Sequence, residues 1–279
     1  MLLNKHRFAL LVALATVSLP IAAQAQRRSP LADAPAIRKR FELRQTRFEV
    51  GVGGGSTVNQ DFYHTISVNV RLAFHITDWL AIAGFGNFGV AQVATGFQGK
   101  LTDSLTDPTM STVPREPTPT QATASLQQIS SVMGGQLEFT PFTGKWSLFG
   151  KLFSAYDFYG FVGPAAITVK TAGNVGRTCD QAPPPLNEQM PLMTSPDRYY
   201  CESSGLKVGP TFGVGLHTFF GQGVALNVEL RDTMAQLNPS GRDVNGDGMA
   251  DQNDLTWTHT YSVGGNLVVF LPFSAKVSP

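Results

Sequence analysis

Charge is scarce in this 279-residue chain: Asp, Glu, Lys and Arg together make up 15%, against roughly 25% in soluble domains. The signs nearly cancel, with 21 basic and 20 acidic residues. No bulk positive field is present to recruit nucleic acid. Beyond the amino-terminal segment no apolar run approaches the roughly 20 residues a membrane-spanning helix needs. Cysteine occurs twice, at Cys179 and Cys201. No H-E-x-x-H occurs, and no paired Cys ligands, so the usual zinc constellations are missing. G-x-S-x-G is also missing, and with it the hydrolase elbow. Gly84, Gly86 and Gly89 spell G-x-G-x-x-G, but inside a strand pattern that opens no helix, so no dinucleotide site is expected. His64, His75, His217 and His259 are scattered, and each reads as structural. No catalytic residue is assigned.

The amino terminus supplies the compartment. Lys5 and Arg7 precede the apolar stretch Phe8–Ile21, and Ala23-Gln24-Ala25 forms an A-x-A cleavage site. Residues 1–25 are read as a secretory signal, with a mature chain starting at Gln26. No Cys follows that site, so a lipoprotein anchor is not supported. Residues 26–44 carry Arg27, Arg28, Arg38, Lys39, Arg40 and Arg44. They read as a periplasmic lead-in, either solvated or touching anionic headgroups.

From there the hydrophobic period is two. Ile66, Val68, Val70, Leu72, Phe74 and Ile76 alternate with Thr65, Ser67, Asn69, Arg71, Ala73 and His75. A strand places such residues on opposite faces, and this one is long enough to cross a bilayer at a tilt. Eight such strands are predicted, at 46–54, 63–76, 78–91, 128–140, 145–155, 206–219, 223–235 and 257–271. Segments 77–78, 141–144 and 220–222 are expected to be tight turns. Segments 55–62, 92–127, 156–205 and 236–256 are expected to be longer loops. Short periplasmic turns alternating with long extracellular loops belong to transmembrane barrels. Aromatics fall in two groups, as two interfacial belts require. One, with Trp79, Phe139, Phe142, Trp146, Phe219, Phe220 and Phe273, is near the turns. The other, with Phe62, Tyr63, Phe88, Tyr156, Phe158, Tyr159, Trp257 and Tyr261, is near the loops. The expected fold is all-β: an eight-stranded antiparallel transmembrane β-barrel with long extracellular loops. It covers residues 45–272, with a short tail at 273–279. The structural alternative is a soluble lipocalin-like barrel, with apolar side chains inside and charges outside.

The polar faces hold both signs of charge: Arg47, Glu49, Arg71, Glu138, Lys151, Lys207, Glu229 and Arg231. Eight strands leave an interior only wide enough for side chains. Charges there must pair, because an isolated buried ion costs several kcal/mol. A salt-bridged, plugged lumen is expected, with Arg71 near Glu49, Glu138 or Glu229.

Two loop features complete the reading. Cys179 and Cys201 lie in one polar, Pro-rich segment, and in an exported chain a disulfide is the default. It would contribute about 3 kcal/mol in the chain-entropy model. Asp243, Asn245 and Asp247, followed by Gly248, fit D-x-[DN]-x-[DN]-G. The Met249 carbonyl, Asp251 and Asp254 stand at later ligand positions of a calcium loop. The pattern resembles the calcium loops of dockerins and thrombospondin type 3 repeats. It departs in having Asp at position 12 and no flanking helix pair.

The opening strand Thr46–Gly54 and the ending Gly264-Gly265-Asn266-Leu267-Val268-Val269-Phe270-Leu271-Pro272 resemble small outer-membrane barrels of myxobacteria and their relatives. The architecture is similar to the OmpA and OmpX type. That resemblance implies residence in the outer membrane of a Gram-negative bacterium, in contact with its lipid. It implies biogenesis by the barrel-assembly machinery, which reads a closing strand of this kind. It carries no catalytic residue. A structural, adhesive or envelope-assembly role is expected, with envelope or surface proteins as partners. The alternatives are OmpW-like transport of small hydrophobic compounds, and a lipid-modifying barrel enzyme with Ser and His assembled across strands.

Overall fold

The computed structural model describes residues 42–105, 119–148, 152–173, 205–220, 223–272 and 276–277. Eight antiparallel strands close into a barrel. They are β1 (Phe48–Thr57), β2 (Tyr63–His75), β3 (Leu80–Ala94), β4 (Gln127–Leu148), β5 (Leu152–Thr171), β6 (Gly205–Phe219), β7 (Val224–Leu237) and β8 (Thr256–Leu271). Neighbours in sequence are neighbours in the wall. The ring shuts where β8 returns to β1, with Phe48 opposite Leu271 and Thr57 opposite Ser262. Closure supplies backbone partners without a free sheet edge, as a strand structure in hydrocarbon requires.

Which face points where decides the solvent. Val68, Val70, Leu72 and Phe74 are 42, 42, 62 and 37% exposed, whereas Asn69 and Arg71 between them are 5 and 2% exposed. The same inversion runs through β7, where Leu226, Val228 and Leu230 face out and Asn227, Glu229 and Arg231 face in. Water would not support so continuous an apolar exterior, but lipid does. This excludes the lipocalin-like arrangement. Trp79, Phe139, Phe142 and Phe220 stand exposed near the turn end, and Phe88, Trp257 and Tyr261 near the loop end.

Two predicted boundaries are corrected. Residues 141–144 are not a turn: β4 runs through them for 22 residues, with a register shift between Phe139 and Phe142. Pro141 is tolerated because β4 has passed its last partner on β3, the Leu80–Phe139 pair, so its missing N–H costs no ladder bond there. Gly144 has a packing reason, since a Cβ would stand 2.7 Å from the Tyr156 ring. The fifth strand is Leu152–Thr171, not 145–155. Tyr156 and Phe158 therefore sit towards the turn end, and Tyr159 points into the lumen at 1% exposure. Pro164 disguised this strand. It pairs with Pro210 of β6, and two residues lacking N–H groups can only form a non-hydrogen-bonded pair. The neighbouring ladders lapse beside them. No partners link β4 to β5 between Gly134–Ala165 and Leu137–Val162, and the β6–β7 ladder begins at Thr211–Thr233.

The loop between β3 and β4 contains two helices the sequence reading did not foresee, α1 (Gly96–Ser104) and α2 (Pro119–Ser125). Thr95 caps α1 by accepting the Gln98 N–H at 3.2 Å. Inside the barrel, Phe85, Ile129, Val132, Ala165, Ile167, Val169, Ala235 and Leu237 form an apolar layer towards the loop end. Phe219, Ala225, Val268 and Phe270 form another near the turns. The charges lie between.

Candidate functional site

Arg71 occupies the middle of the lumen on an inward position of β2. Its guanidinium donates from three nitrogens to three carboxylates: Nε to Glu49 Oε1 at 2.7 Å, Nη1 to Glu229 Oε1 at 2.6 Å, and Nη2 to Glu138 Oε2 at 2.6 Å. These acids come from β1, β7 and β4. A planar fork of five donors suits such a junction, and an ammonium would not. Arg231 donates to Glu229 Oε2 at 2.9 Å. Its guanidinium lies 3.5 Å from the Phe85 ring centroid and 4.4 Å from that of Phe161, a cation–π sandwich in place of water. The Tyr159 hydroxyl donates to Glu229 Oε1 at 2.6 Å, and Gln136 Nε2 to Glu138 Oε1 at 2.7 Å.

The network continues towards the turn end. His75 Nε2 and His217 Nε2 lie 3.0 and 3.3 Å from Glu49 carboxylate oxygens, and His217 Nδ1 lies 2.8 Å from Asp157 Oδ1. Arg44 Nη1 is 2.9 Å from Asp157 Oδ2. Arg44 also donates from Nη2 to the Asp78 carbonyl at 2.6 Å, and its N–H to Asp78 Oδ1 at 2.7 Å. Read from sequence as part of a polar lead-in, Arg44 is only 3% exposed.

The structure thus unites Glu49, Arg71, Glu138, Glu229 and Arg231, and names all three acids anticipated for Arg71. Arg47 stands apart, donating to the carbonyls of Phe270 and Pro272 at 3.4 and 3.1 Å. Lys207 is half-buried near the loop end of β6, opposite Ile167, outside the cluster. Lys151, Cys179 and Cys201 lie outside the described residues. Asp157, Tyr159, His217 and Asn227, whose Nδ2 donates to the Tyr159 hydroxyl at 2.7 Å, belong to the cluster and were missed. The first two were hidden by the misplaced β5 boundary. His217 shares the inward parity of β6, a signal that was available.

The acidic loop is folded as the motif suggests, but its carboxylates face its own backbone. Asp243 accepts the N–H groups of Gly246 and Gly248 at 2.7 and 2.8 Å. Asn245 accepts that of Asp247, and Asp247 that of Met249. Asp254, 1% exposed, accepts from Val244, Asn245 and Asp251. Gly246 and Gly248 have φ of 79° and 86°, where glycine is favoured. Among the described residues no three His, Cys, Asp or Glu side chains are grouped as a metal ion would require.

A barrel with an apolar, aromatic-rimmed exterior and a polar, filled interior is an integral outer-membrane protein. No family model matches the chain, and no curated protein does. Among solved structures, it is similar to the amino-terminal barrel domain of OprF from Pseudomonas aeruginosa. Identity is 8% over 81% of this chain and 98% of that one, with a TM-score of 0.40. OprG from the same organism gives 12%, 81%, 95% and 0.36. Ail, the attachment invasion locus protein of Yersinia pestis, gives 9%, 80%, 99% and 0.34. None bears on the myxobacterial part of the resemblance, and the fold rests on the barrel's own ladders and faces.

Proposed function

We propose that this chain, in line with the small myxobacterial-type barrels its sequence resembles, works at its surface rather than through its lumen. Its role is structural, adhesive or in envelope assembly. Outer-membrane lipid surrounds it, the barrel-assembly machinery inserts it, and envelope or surface proteins are its partners. One observation supports this above the others: Arg71 ties β1, β2, β4 and β7 together across the lumen through three carboxylates. An ion entering from either end meets a fully paired charge cluster.

Two alternatives gain little. Transport through a gap in the wall would use the lapse between β4 and β5, yet a Cβ on Gly163 would stand only 2.0 Å from the Gly135 carbonyl oxygen. The two backbones are pressed together there. A Ser–His enzyme would need a hydroxyl on an imidazole. Instead His75, His217 and His259 meet acids, and His64 Nδ1 has no hydrogen-bond partner among the described residues.

Recording from purified protein in planar bilayers tests the reading. Silence, or brief rare openings, is expected. Large steady conductance overturns it.

A further inference from the structure

The hairpin joining β4 to β5 outruns the rest of the turn end. β3 leaves β4 at the Leu80–Phe139 pair, and β4 continues to Leu148. β5 stays beside it, from the Phe142–Phe158 pair to Leu148–Leu152, but β6 stops at the Ala155–Phe219 pair. From Thr140 to Leu148, among the described residues, β4 therefore has a strand on one side only. β3 has nothing left to cover the other side, because the chain has already turned at Ile76, whose N–H donates to the Leu80 carbonyl at 3.0 Å. At about 3.3 Å per residue and a tilt of about 40°, this stretch of β4 reaches roughly 20 Å past the end of β3.

An open strand edge is a template for another strand, and this one lies at the turn end, which is periplasmic in outer-membrane barrels. Its side chains say what fits. On the outward face Phe142 and Trp146 are 65 and 40% exposed. Tyr156 lies over Gly144, its ring centroid 6.2 Å from that of Trp146. On the opposite face Thr143 and Lys145 are exposed. Lys145 is the one charged residue between Phe139 and Leu148, so the edge favours a segment carrying acid. Pro141 has no N–H, so pairing starts after it. A second copy of the chain does not fit. Two copies in one membrane, oriented alike, are related by an axis along the bilayer normal, so edge strands each tilted by about 40° cross at about 80° instead of aligning.

We propose that β4 from Phe142 to Leu148 binds an extended, acidic segment of a periplasmic protein by strand addition. The added backbone continues the sheet where β3 has ended. Its apolar side chains rest on Phe142 and Trp146, and its carboxylates, on the other face, meet Lys145. This docking site presupposes that the chain acts through its exterior rather than its lumen.

The probe is a fluorescent synthetic peptide alternating Val and Glu, added to the folded full chain in nanodiscs. Anisotropy should report binding, and hydrogen exchange should slow at those amides of Phe142–Leu148 that face away from β5. Lys145→Glu, at an exposed position, should weaken binding about tenfold or more. Methylating the peptide nitrogens along one edge should abolish it. No binding at millimolar peptide, or equal binding by the methylated peptide, overturns strand addition. Equal binding by Lys145→Glu overturns the acidic partner. If the same amides are instead protected by self-association of the parent, the occupant is a second copy and the periplasmic partner falls. Bilayer recording on the same preparation separates the two failures. A silent protein that binds no peptide defeats the docking site alone, whereas large steady conductance defeats the reading it presupposes.

Discussion

Val70 and Arg71 are adjacent in sequence and live in different solvents. A strand turns successive side chains to opposite faces, so one meets lipid and the other the lumen. Putting Arg at position 70 should cost about 2–4 kcal/mol near the bilayer midplane. Folding into vesicles, followed by denaturant titration, should show that loss, and insertion equal to the parent would contradict the lipid-facing assignment. At position 71 the effect has another origin. Arg71→Ala would leave Glu49, Glu138 and Glu229 without their shared cation, at about 3–5 kcal/mol. Arg71→Lys should recover only part, because an ammonium cannot reproduce the planar three-way contact. Equal stability of the parent and both variants in the same titration would show that the cluster does not hold the barrel together. The alternation was enough to place Arg71 inward. Its partners are 22, 67 and 158 residues away, and no local pattern chooses among inward acids at such separations.

Elements were most legible where alternation was unbroken. β2, β7 and β8 lie close to their predicted bounds with the predicted faces. β5 was not, because Pro164, Gly160 and Gly163 have the composition of a loop. The wall admits them by pairing Pro164 with Pro210 and by pressing glycine backbones together. The acidic loop before β8 was half legible. Its Asx-type spacing and its glycines are as expected, yet the oxygens cap backbone N–H groups. Each carboxylate oxygen has a second lone pair, and on that ground calcium at Asp243, Asn245, Asp247, Asp251 and Asp254 with the Met249 carbonyl stays part of our proposal. Calorimetric titration should give heat with the parent at about millimolar calcium and less with Asp247→Ala. No heat, or the same heat from both, disposes of the site. For Cys179 and Cys201, alkylation of unreduced protein followed by mass spectrometry should leave both unmodified, and two labelled thiols would refute the disulfide.

Over the whole molecule the lumen is layered: an apolar layer near the loops, ions in the middle, and Phe219, Val268 and Phe270 near the turns. The expected electrical silence follows from that stacking, since an ion must pass all three layers. The sequence alone determined the strand count, the up-and-down order, the lipid-facing side of each well-patterned strand, and an interior whose charges must pair. Those follow from a period of two and from the cost of burying an unpaired ion, both of which are local or compositional. Only the tertiary structure decided which acids share Arg71, that Arg44 and two histidines belong to the same network, that two prolines can stand opposite one another in a wall, and that the acidic side chains of the last loop turn to its own backbone. Those depend on register, and a one-residue slip between strands far apart in sequence would exchange every partner while leaving the pattern of each strand intact.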